Sequence, residues 1–260
     1  MVVSMRADSG GIERRAIRDA AMQAGAKNVK LISSSMAAAL GMGLDVMQPD
    51  GRMIVDIGGG TLEISVISCG GIVDTACKRV SGREFNEDIV EYMANQYNME
   101  IGKMYMAEKI QIAVGSAINE LEDEPKDFCA MGRNMRTREP LEVMVNYREI
   151  ADAINSSLGK IEQTILLVLK DMPSNLADDI RKNGICLVGG GALLRGIDQR
   201  ISSKTGLSVH VAEDPLRAVA RGTVIALKNF DNFPFLIDKQ QRYEGQSETE
   251  RIHRLRPPNQ

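Results

Sequence analysis

The sequence contains no tryptophan, 2 histidines and 4 cysteines among its 260 residues. The cysteines form no CxxC pair and have no histidine at a zinc-ligand spacing, so neither a structural zinc site nor a disulfide framework is indicated. Reduced thiols are typical of a reducing compartment, and we expect a cytoplasmic location. No apolar run approaches the roughly 20 residues of a membrane-spanning helix, and the opening MVVSMRADSG lacks the pattern of a secretory signal.

The charge balance is close to neutral. The chain has 32 basic and 35 acidic residues, and the net charge of −3 gives no reason to expect a nucleic-acid partner. Apolar residues make up 43% and charged residues 26%, which is the composition of an ordinary globular protein. The bulk properties therefore exclude disordered and membrane-spanning classes and leave the function open.

The order of apolar patterns predicts an α/β fold with mixed sheets. Strands and helices alternate over residues 1–44, and a three-stranded meander follows over residues 52–80. Asn146 and Glu149 form a capping-box pattern at the start of one long amphipathic helix that ends near Pro173. The other predicted elements are helices at 84–97 and 106–119, strands at 141–145, 185–188 and 207–211, and helices at 192–204 and 215–227.

Two triple-glycine loops are the most informative feature of the sequence. Asp56-Ile57-Gly58-Gly59-Gly60-Thr61 follows the apolar run 53–55, and Leu187-Val188-Gly189-Gly190-Gly191-Ala192 lies between a predicted strand and a predicted helix. Glycines let the backbone approach a ligand closely, and consecutive free N–H groups form a cradle for anions. An aspartate beside such a cradle can hold Mg²⁺ through water or orient an attacking water.

The glycine loops also have a simpler interpretation. A single triple-glycine loop is most often only a tight turn, and neither loop fits GxxxxGK[ST] or a full GxGxxG. Two such loops, each after an apolar strand, favour two half-sites that face one cleft. From the residues alone, the prediction is a phosphate-binding protein.

The context of the loops carries a family resemblance. Five segments in the same order resemble the MreB family of the actin, Hsp70 and sugar-kinase superfamily, and the similarity runs almost continuously from residue 1 to residue 236. The segments are SGGIERRAIRDAAMQAGAKNVKLI (9–32), MAAALGMGLDV (36–46), VDIGGGTLEISVISCGGIV (55–73), LVGGGALLRGID (187–198) and VHVAEDPLRAVARGTVIAL (209–227).

The resemblance implies an actin-like (ribonuclease H-like) ATPase fold of two related α/β domains with ATP or ADP and Mg²⁺ in the cleft between them. We expect residues 1–46 to be the remainder of an incomplete first domain. Residues 47–236 are then the second domain, with an insertion near 120–140 and a final helix able to pack back on the first domain. Residues 237–260 lack periodicity and are predicted to be a disordered tail.

The resemblance also implies a function and partners. Members of the family form filaments that direct rod shape and cell-wall growth. We therefore expect self-association, contact with the cell-wall elongation machinery and a peripheral membrane association. The clustered Phe230, Phe233 and Phe235 at the end of the last helix are either a membrane or partner anchor or, more simply, pack back onto the domain.

Site residues follow from the same resemblance, position by position. Asp56 is expected to serve catalysis and the water shell of Mg²⁺. The residues expected to contact the nucleotide are Gly58, Gly59, Gly60 and Thr61 at the phosphates, Glu108, Lys109, Ile110 and Gln111 on a ribose- and adenine-binding helix, and Gly190, Gly191, Ala192 and Leu193 at the adenosine. Gln111 stands where the family has a lysine, so a positive charge is lost there.

Several departures from the family pattern bear on catalysis. The chain contains no DxGTxxT phosphate loop, and we expect a truncated chain or a miscalled start. Ser34 stands where the family has its catalytic glutamate, and a serine hydroxyl without a neighbouring base does not activate water near neutral pH. Alternatively, the serines of residues 33–35 make a turn that caps the next helix. Arg83 and Asn86 replace two acidic residues.

These departures leave three hypotheses. The first is a nucleotide-binding, filament-forming cell-shape protein whose ATPase activity is weak or absent. The second is a degenerate scaffold that does not bind nucleotide. The third is a sugar- or acetate-kinase-like phosphotransferase, which shares both glycine loops but not the segments VAEDP and ARGT.

Overall fold

A computed structural model describes residues 1–233, without the side chains of Lys103 and Asp231. The predictions for Phe235 and for the tail from residue 237 lie outside the described residues. The strands are β1 (Val2–Met5), β2 (Lys30–Ser33), β3 (Arg52–Ile57), β4 (Leu62–Ser68), β5 (Gly71–Lys78), β6 (Met99–Ile101), β7 (Phe128–Asn134), β8 (Pro140–Val145), β9 (Ile185–Val188) and β10 (Val209–Val211). The helices are α1 (Gly11–Gln23), α2 (Ser34–Gly41), α3 (Gly82–Tyr97), α4 (Lys103–Val114), α5 (Tyr147–Ala153), α6 (Asn155–Asp171), α7 (Ser174–Asn183), α8 (Ile197–Thr205) and α9 (Ala218–Lys228), with 3₁₀ turns at Gly190–Leu193 and Phe230–Asn232.

A five-stranded sheet in the order β10-β9-β3-β4-β5 forms the centre of the molecule. Strands β10, β9 and β3 are parallel, β4 is antiparallel to β3, and β5 is antiparallel to β4. Its inner strands are nearly continuously apolar because both faces of the sheet are covered. Met53 and Val55 belong to the larger core, whereas Ile54 between them belongs to a smaller core with α2 and α9.

Two smaller sheets complete the described fold. β1 and β2 pair in parallel, and β6, β7 and β8 form an antiparallel sheet. We did not predict β6 and β7 from the sequence. β6 has three residues, which is too few for its alternation to be recognised. β7 buries only Ala130 while Met131 is 55% exposed, so its sequence lacks the apolar alternation of a half-buried strand.

The long helix predicted from Asn146 to Pro173 is interrupted. The capping box at its start is present, because the Asn146 side chain accepts from the Glu149 N–H and the Glu149 carboxylate accepts from the Asn146 N–H. α5 ends and α6 begins at Ile154. The apolar stripe continues across this break, since Ile154 is completely buried and Leu158 is 1% exposed. Within residues 1–233, no helix is both long enough and apolar enough to cross a bilayer.

Helix α9 lies against α2 at a contact between backbones. A Cβ added to Gly222 would lie 1.6 Å from the carbonyl oxygen of Ala37, and one added to Gly41 would lie 1.9 Å from that of Ala218. Only glycine allows such an approach. Phe230, which follows α9, packs against the same smaller core.

The α2–α9 contact predicts a large effect of one methyl group. We expect Gly222→Ala to lower the free energy of unfolding by about 1–3 kcal/mol or more, because two helix backbones must separate. Urea unfolding of the purified chain measures the change. The matched control is Gly159→Ala in α6, where a Cβ meets nothing within 4 Å. That variant should be stabilised by about 0.5–1 kcal/mol, because alanine is the better helix former. Equal midpoints for both variants would contradict the contact.

Candidate functional site

The two glycine loops lie side by side at one edge of the central sheet. β3 and β9 are adjacent and parallel, with Asp56 opposite Val188, so the loops that follow them leave from the same edge. Ligands of α/β proteins bind at the carboxyl ends of such strands. The second loop touches the first strand closely: Gly189 has a φ of +83°, and a Cβ there would lie 2.3 Å from Oδ1 of Asp56. A Cβ on Gly191 would lie 2.2 Å from Cγ2 of Ile57.

The carbonyl groups of the first loop are bound by the start of α3. The Gly82 N–H donates to the Gly58 carbonyl at 3.2 Å, and the Arg83 N–H donates to the Gly59 carbonyl at 3.1 Å. The hydroxyl of Ser81 also donates to the Gly59 carbonyl, at 3.0 Å. Helix α3 therefore holds the loop from one side and takes up two of its acceptors.

The amide groups of the same loop are uncommitted. Within residues 1–233, the N–H groups of Gly59 and Gly60 have no hydrogen-bond acceptor. A Cβ on either residue would meet nothing within 4 Å, and neither φ lies in the left-handed region. Packing and backbone conformation thus do not require glycine at these two positions. The free amides and the open space in front of them fit an anionic ligand.

Both loops line one cleft of about 430 Å³, a volume typical of small-molecule sites. The start of α3 and one face of α4 complete its walls. Seven of the predicted site residues line it: Gly58, Gly59, Glu108, Gln111, Gly190, Gly191 and Leu193. Ile112 is 70% exposed and Leu216 is 66% exposed, so this cleft offers apolar surface as well as amide groups.

Other predicted residues are placed differently. Gly60 and Thr61 continue the first loop but do not line the cleft. Lys109 is exposed, with its Nζ 4.3 Å from the centre of the Tyr105 ring. Ile110 and Ala192 are buried in the larger core and face away from solvent. Both were predicted as nucleotide-binding residues, and their side chains pack into the core.

The second loop does not open directly into an α-helix. We predicted a helix from Ala192, but residues Gly190–Leu193 form a 3₁₀ turn and α8 begins only at Ile197. The backbone must bend because Leu194 has an extended conformation, with φ −64° and ψ 126°. The helix dipole therefore contributes less at this loop than the sequence suggested.

Several cleft residues were not predicted as site residues. They are Gly82, Arg83, Asn86, Met104, Ile112, Leu194, Arg195 and Leu216. A signal for part of this set exists in the sequence, since residues 104, 108, 111 and 112 share one face of a helix. Arg83 and Asn86 appeared only as departures from the family pattern, and the structure places both of them in the cleft wall.

Ser34 takes part in a buried network around Glu63. The Glu63 side chain is 3% exposed and points from β4 to the start of α2. Its carboxylate accepts from the Ser34 hydroxyl at 3.0 Å, from the Ser35 N–H at 3.2 Å and from the Ala7 N–H at 3.1 Å, and also from the Ser35 hydroxyl. Ser33 caps α2, as the simpler interpretation of the three serines predicts.

Asp56 lies opposite Glu63 in the antiparallel pairing of β3 and β4. Burial and, secondly, the negative charge of Glu63 raise the pKa of Asp56 from 3.8 to about 6. Among residues 1–233, no three His, Cys, Asp or Glu side chains are grouped to hold a metal ion directly. Asp56 can therefore act on a cation only with water or a ligand completing the coordination shell.

Comparisons with known proteins agree with this geometry. The sequence profile of the MreB/Mbl protein family matches residues 1–234. Cell shape-determining protein MreB of Escherichia coli strain K12 is 43% identical over 220 residues, which are 85% of this chain and 62% of that protein. Cell shape-determining protein Mbl of Bacillus subtilis strain 168 is 36% identical over 234 residues, 90% of this chain and 69% of that protein. The chain thus spans less than two thirds of the length of the first relative.

Solved structures show the same fold. The crystal structure of MreB5 of Spiroplasma citri bound to AMPPNP superimposes with a TM-score of 0.85 at 32% identity, over 89% of this chain and 68% of that chain. The structure of that protein bound to ADP gives the same values except for 69% of that chain. The MamK double helical filament matches with a TM-score of 0.73 at 17% identity, which is a likeness of fold alone.

The raised pKa of Asp56 predicts a pH dependence of stability. The folded chain holds this proton more tightly than the unfolded chain, so the free energy of unfolding should fall as the pH rises from about 4 to about 6. Asp56→Asn should remove this fall and raise the stability at pH 7 by about 1–3 kcal/mol. Urea midpoints at several pH values measure both effects. Asp50→Asn, at an exposed aspartate, is the control, and identical profiles for the two variants would contradict the assignment.

Proposed function

The chain belongs to the MreB/Mbl family, and from this membership we propose that it binds ATP or ADP in the cleft between its two glycine loops and assembles into filaments that determine cell shape. Its fold is the actin-like α/β fold that the sequence predicts. The observation that carries the proposal is the uncommitted amide of Gly59, which lines a cleft shared with the second loop, next to the uncommitted amide of Gly60.

The walls of the cleft suit the parts of a nucleotide. The free amides of Gly59 and Gly60 suit the phosphates, because backbone N–H groups bind anions. The face of α4 with Glu108 and Gln111 suits the hydroxyl groups of a ribose. Exposed apolar side chains such as Leu193 suit the faces of a base. The related MreB5 has been crystallised with AMPPNP and with ADP, which supports this assignment.

Asp56 is the residue we propose to hold Mg²⁺, through water. It is the last residue but one of the strand that leads into the phosphate loop, and no direct carboxylate cage competes for the ion among residues 1–233. A bound Mg²⁺ would neutralise charge on the phosphate oxygens. In its ionised form, Asp56 would orient the water shell of that ion.

Hydrolysis by this site is proposed to be slow. Ser34 stands at the position of the family's catalytic glutamate, and its hydroxyl donates to Glu63. The oxygens of Glu63 are occupied by structural donors, since they accept from Ala7, Ser34 and Ser35. Ser34 can orient a water through its lone pairs but cannot deprotonate it.

Filament formation and its partners are inferences from the relatives. Both curated relatives described above are named as cell shape-determining proteins, which supports self-association of this chain in the same role. Contact with the cell-wall elongation machinery and with a membrane surface is proposed on the same ground. Membership of this family argues against the phosphotransferase hypothesis. The scaffold hypothesis is supported by Ser34 and Gln111, which replace a catalytic glutamate and a lysine of the family. A measurement of nucleotide binding distinguishes it from the first hypothesis.

Nucleotide binding can be tested at a glycine that folding does not need. Gly59→Ala should weaken the binding of a fluorescent ATP analogue by about tenfold or more, because the added methyl group occupies the space in front of the amides. Its urea midpoint should stay at the wild-type value. Gly11→Ala, where a Cβ also meets nothing within 4 Å, is the control and should bind normally. If the wild-type chain does not bind the analogue, the result favours the hypothesis of a scaffold that binds no nucleotide.

Hydrolysis can be tested by restoring a carboxylate. Ser34→Glu should raise the rate of phosphate release from ATP by about 10²-fold, the lower end of what a positioned general base contributes. Ser156→Glu, at an exposed serine of α6, controls for the added charge and should leave the rate unchanged. A wild-type rate that Ser34→Glu does not increase would refute the proposed cause of slow turnover.

A further inference from the structure

Arg83 is an unpaired cation in the wall of the cleft. It is the second residue of α3, and its exposed side chain lines the cleft beside Gly58 and Gly59. Within residues 1–233, its guanidinium has no ion pair and no side-chain hydrogen bond. Glu87 lies one helical turn away without pairing with it. An arginine without a partner in a concave site is free to bind an anion from solution.

The backbone of Arg83 is fixed relative to the phosphate loop. Its N–H donates to the Gly59 carbonyl at 3.1 Å, and the Ser81 hydroxyl donates to the same carbonyl at 3.0 Å. These hydrogen bonds fix the Cα of Arg83, and therefore the base of its side chain, close to the free amides of the loop. Guanidinium groups bind phosphate oxygens in a bidentate manner, which a positioned backbone favours.

The other charged residues of the cleft do not compete for this role. Arg195 also lines the cleft, but its guanidinium donates to the carbonyl groups of Ile112 at 3.3 Å and Gly115 at 3.2 Å. Glu108 is the acidic residue of the wall, and it lies on α4. The start of α3 adds a positive dipole end at the position of Arg83.

Asn86 is a second, independent sign of a ligand at this wall. It lies one turn along α3 from Arg83, lines the same cleft and is only 8% exposed. Its Oδ1 has no hydrogen-bond partner among the described residues. Buried polar atoms are rarely left unpaired unless a water or a ligand completes them.

We propose that Arg83 is a phosphate-binding residue, whose guanidinium supplies a fixed positive charge to the polyphosphate of the bound nucleotide. This inference rests on the proposed binding of nucleotide in the cleft. Its consequence is that nucleotide binding by this chain persists without Mg²⁺, because the protein itself provides a charge that the metal otherwise supplies. The two acidic residues of the family pattern have been replaced here by one cation and one neutral amide.

The test compares binding with and without the metal. A fluorescent ATP analogue is titrated into the full chain in Mg²⁺ and again in EDTA, for wild type, Arg83→Gln and Arg79→Gln. Arg79 is an exposed arginine that does not line the cleft and serves as the matched control. We expect the wild type to bind in EDTA within about tenfold of its affinity in Mg²⁺. Arg83→Gln should weaken binding in EDTA by about 10- to 100-fold, and Arg79→Gln should not.

Adenosine is the probe that separates the possible failures. Its affinity should be the same for all three proteins, since it has no phosphate. If the wild type binds neither ATP nor adenosine, the proposed function fails. If the wild type binds ATP but loses it in EDTA, or if Arg83→Gln binds in EDTA as the wild type does, only the role of Arg83 is overturned. Equal loss of adenosine and ATP in Arg83→Gln also overturns it, because a structural role would then explain the change.

Discussion

The buried carboxylate of Glu63 is the interaction on which the arrangement of the described chain depends. A carboxylate taken out of water is costly unless hydrogen bonds replace its hydration. Four donors do so here, from Ala7, Ser34 and Ser35, and they all come from segments that precede the central sheet. The same contacts place a negative charge at the N-terminus of α2, where the helix dipole favours it. The Glu63 carboxylate, together with the hydrogen bond between the Ser35 and Ser65 hydroxyls, thus links the first segments to β4.

The Glu63 network also explains why residue 34, at the position of the family's catalytic glutamate, has a structural role here. Ser34 is a donor to a structural carboxylate, so its hydroxyl is committed before any substrate arrives. Asp56, opposite Glu63, is affected by the same charge through its raised pKa. One acidic residue near the start of a buried strand therefore influences both the packing of the first segments on β4 and the charge state of Asp56.

The sequence was sufficient for the central sheet and for the convergence of the two glycine loops. Strands β3 and β9 contain short apolar runs followed directly by triple-glycine loops, and the short length with flanking glycines favours a strand over a helix. Glu63 was missed because a lone acidic residue in a strand normally faces solvent, and only the position of α2 shows otherwise. Ile110 was misplaced for a related reason: neighbours on a helix point in different directions, so a matched segment does not deliver every side chain to the ligand.

The glycines of the two loops meet different physical requirements, and this has a consequence for the effects of substitutions at these positions. Residues 189 and 191 are restricted by the neighbouring strand, so a survey of variants scored by protein abundance should find them intolerant. Residues 59 and 60 face open space and should pass such a survey unnoticed. A survey scored by growth or cell morphology would find substitutions harmful at both pairs of positions, 59 and 60 as well as 189 and 191. Positions that are intolerant only in the second survey would identify the residues that contact the proposed ligand.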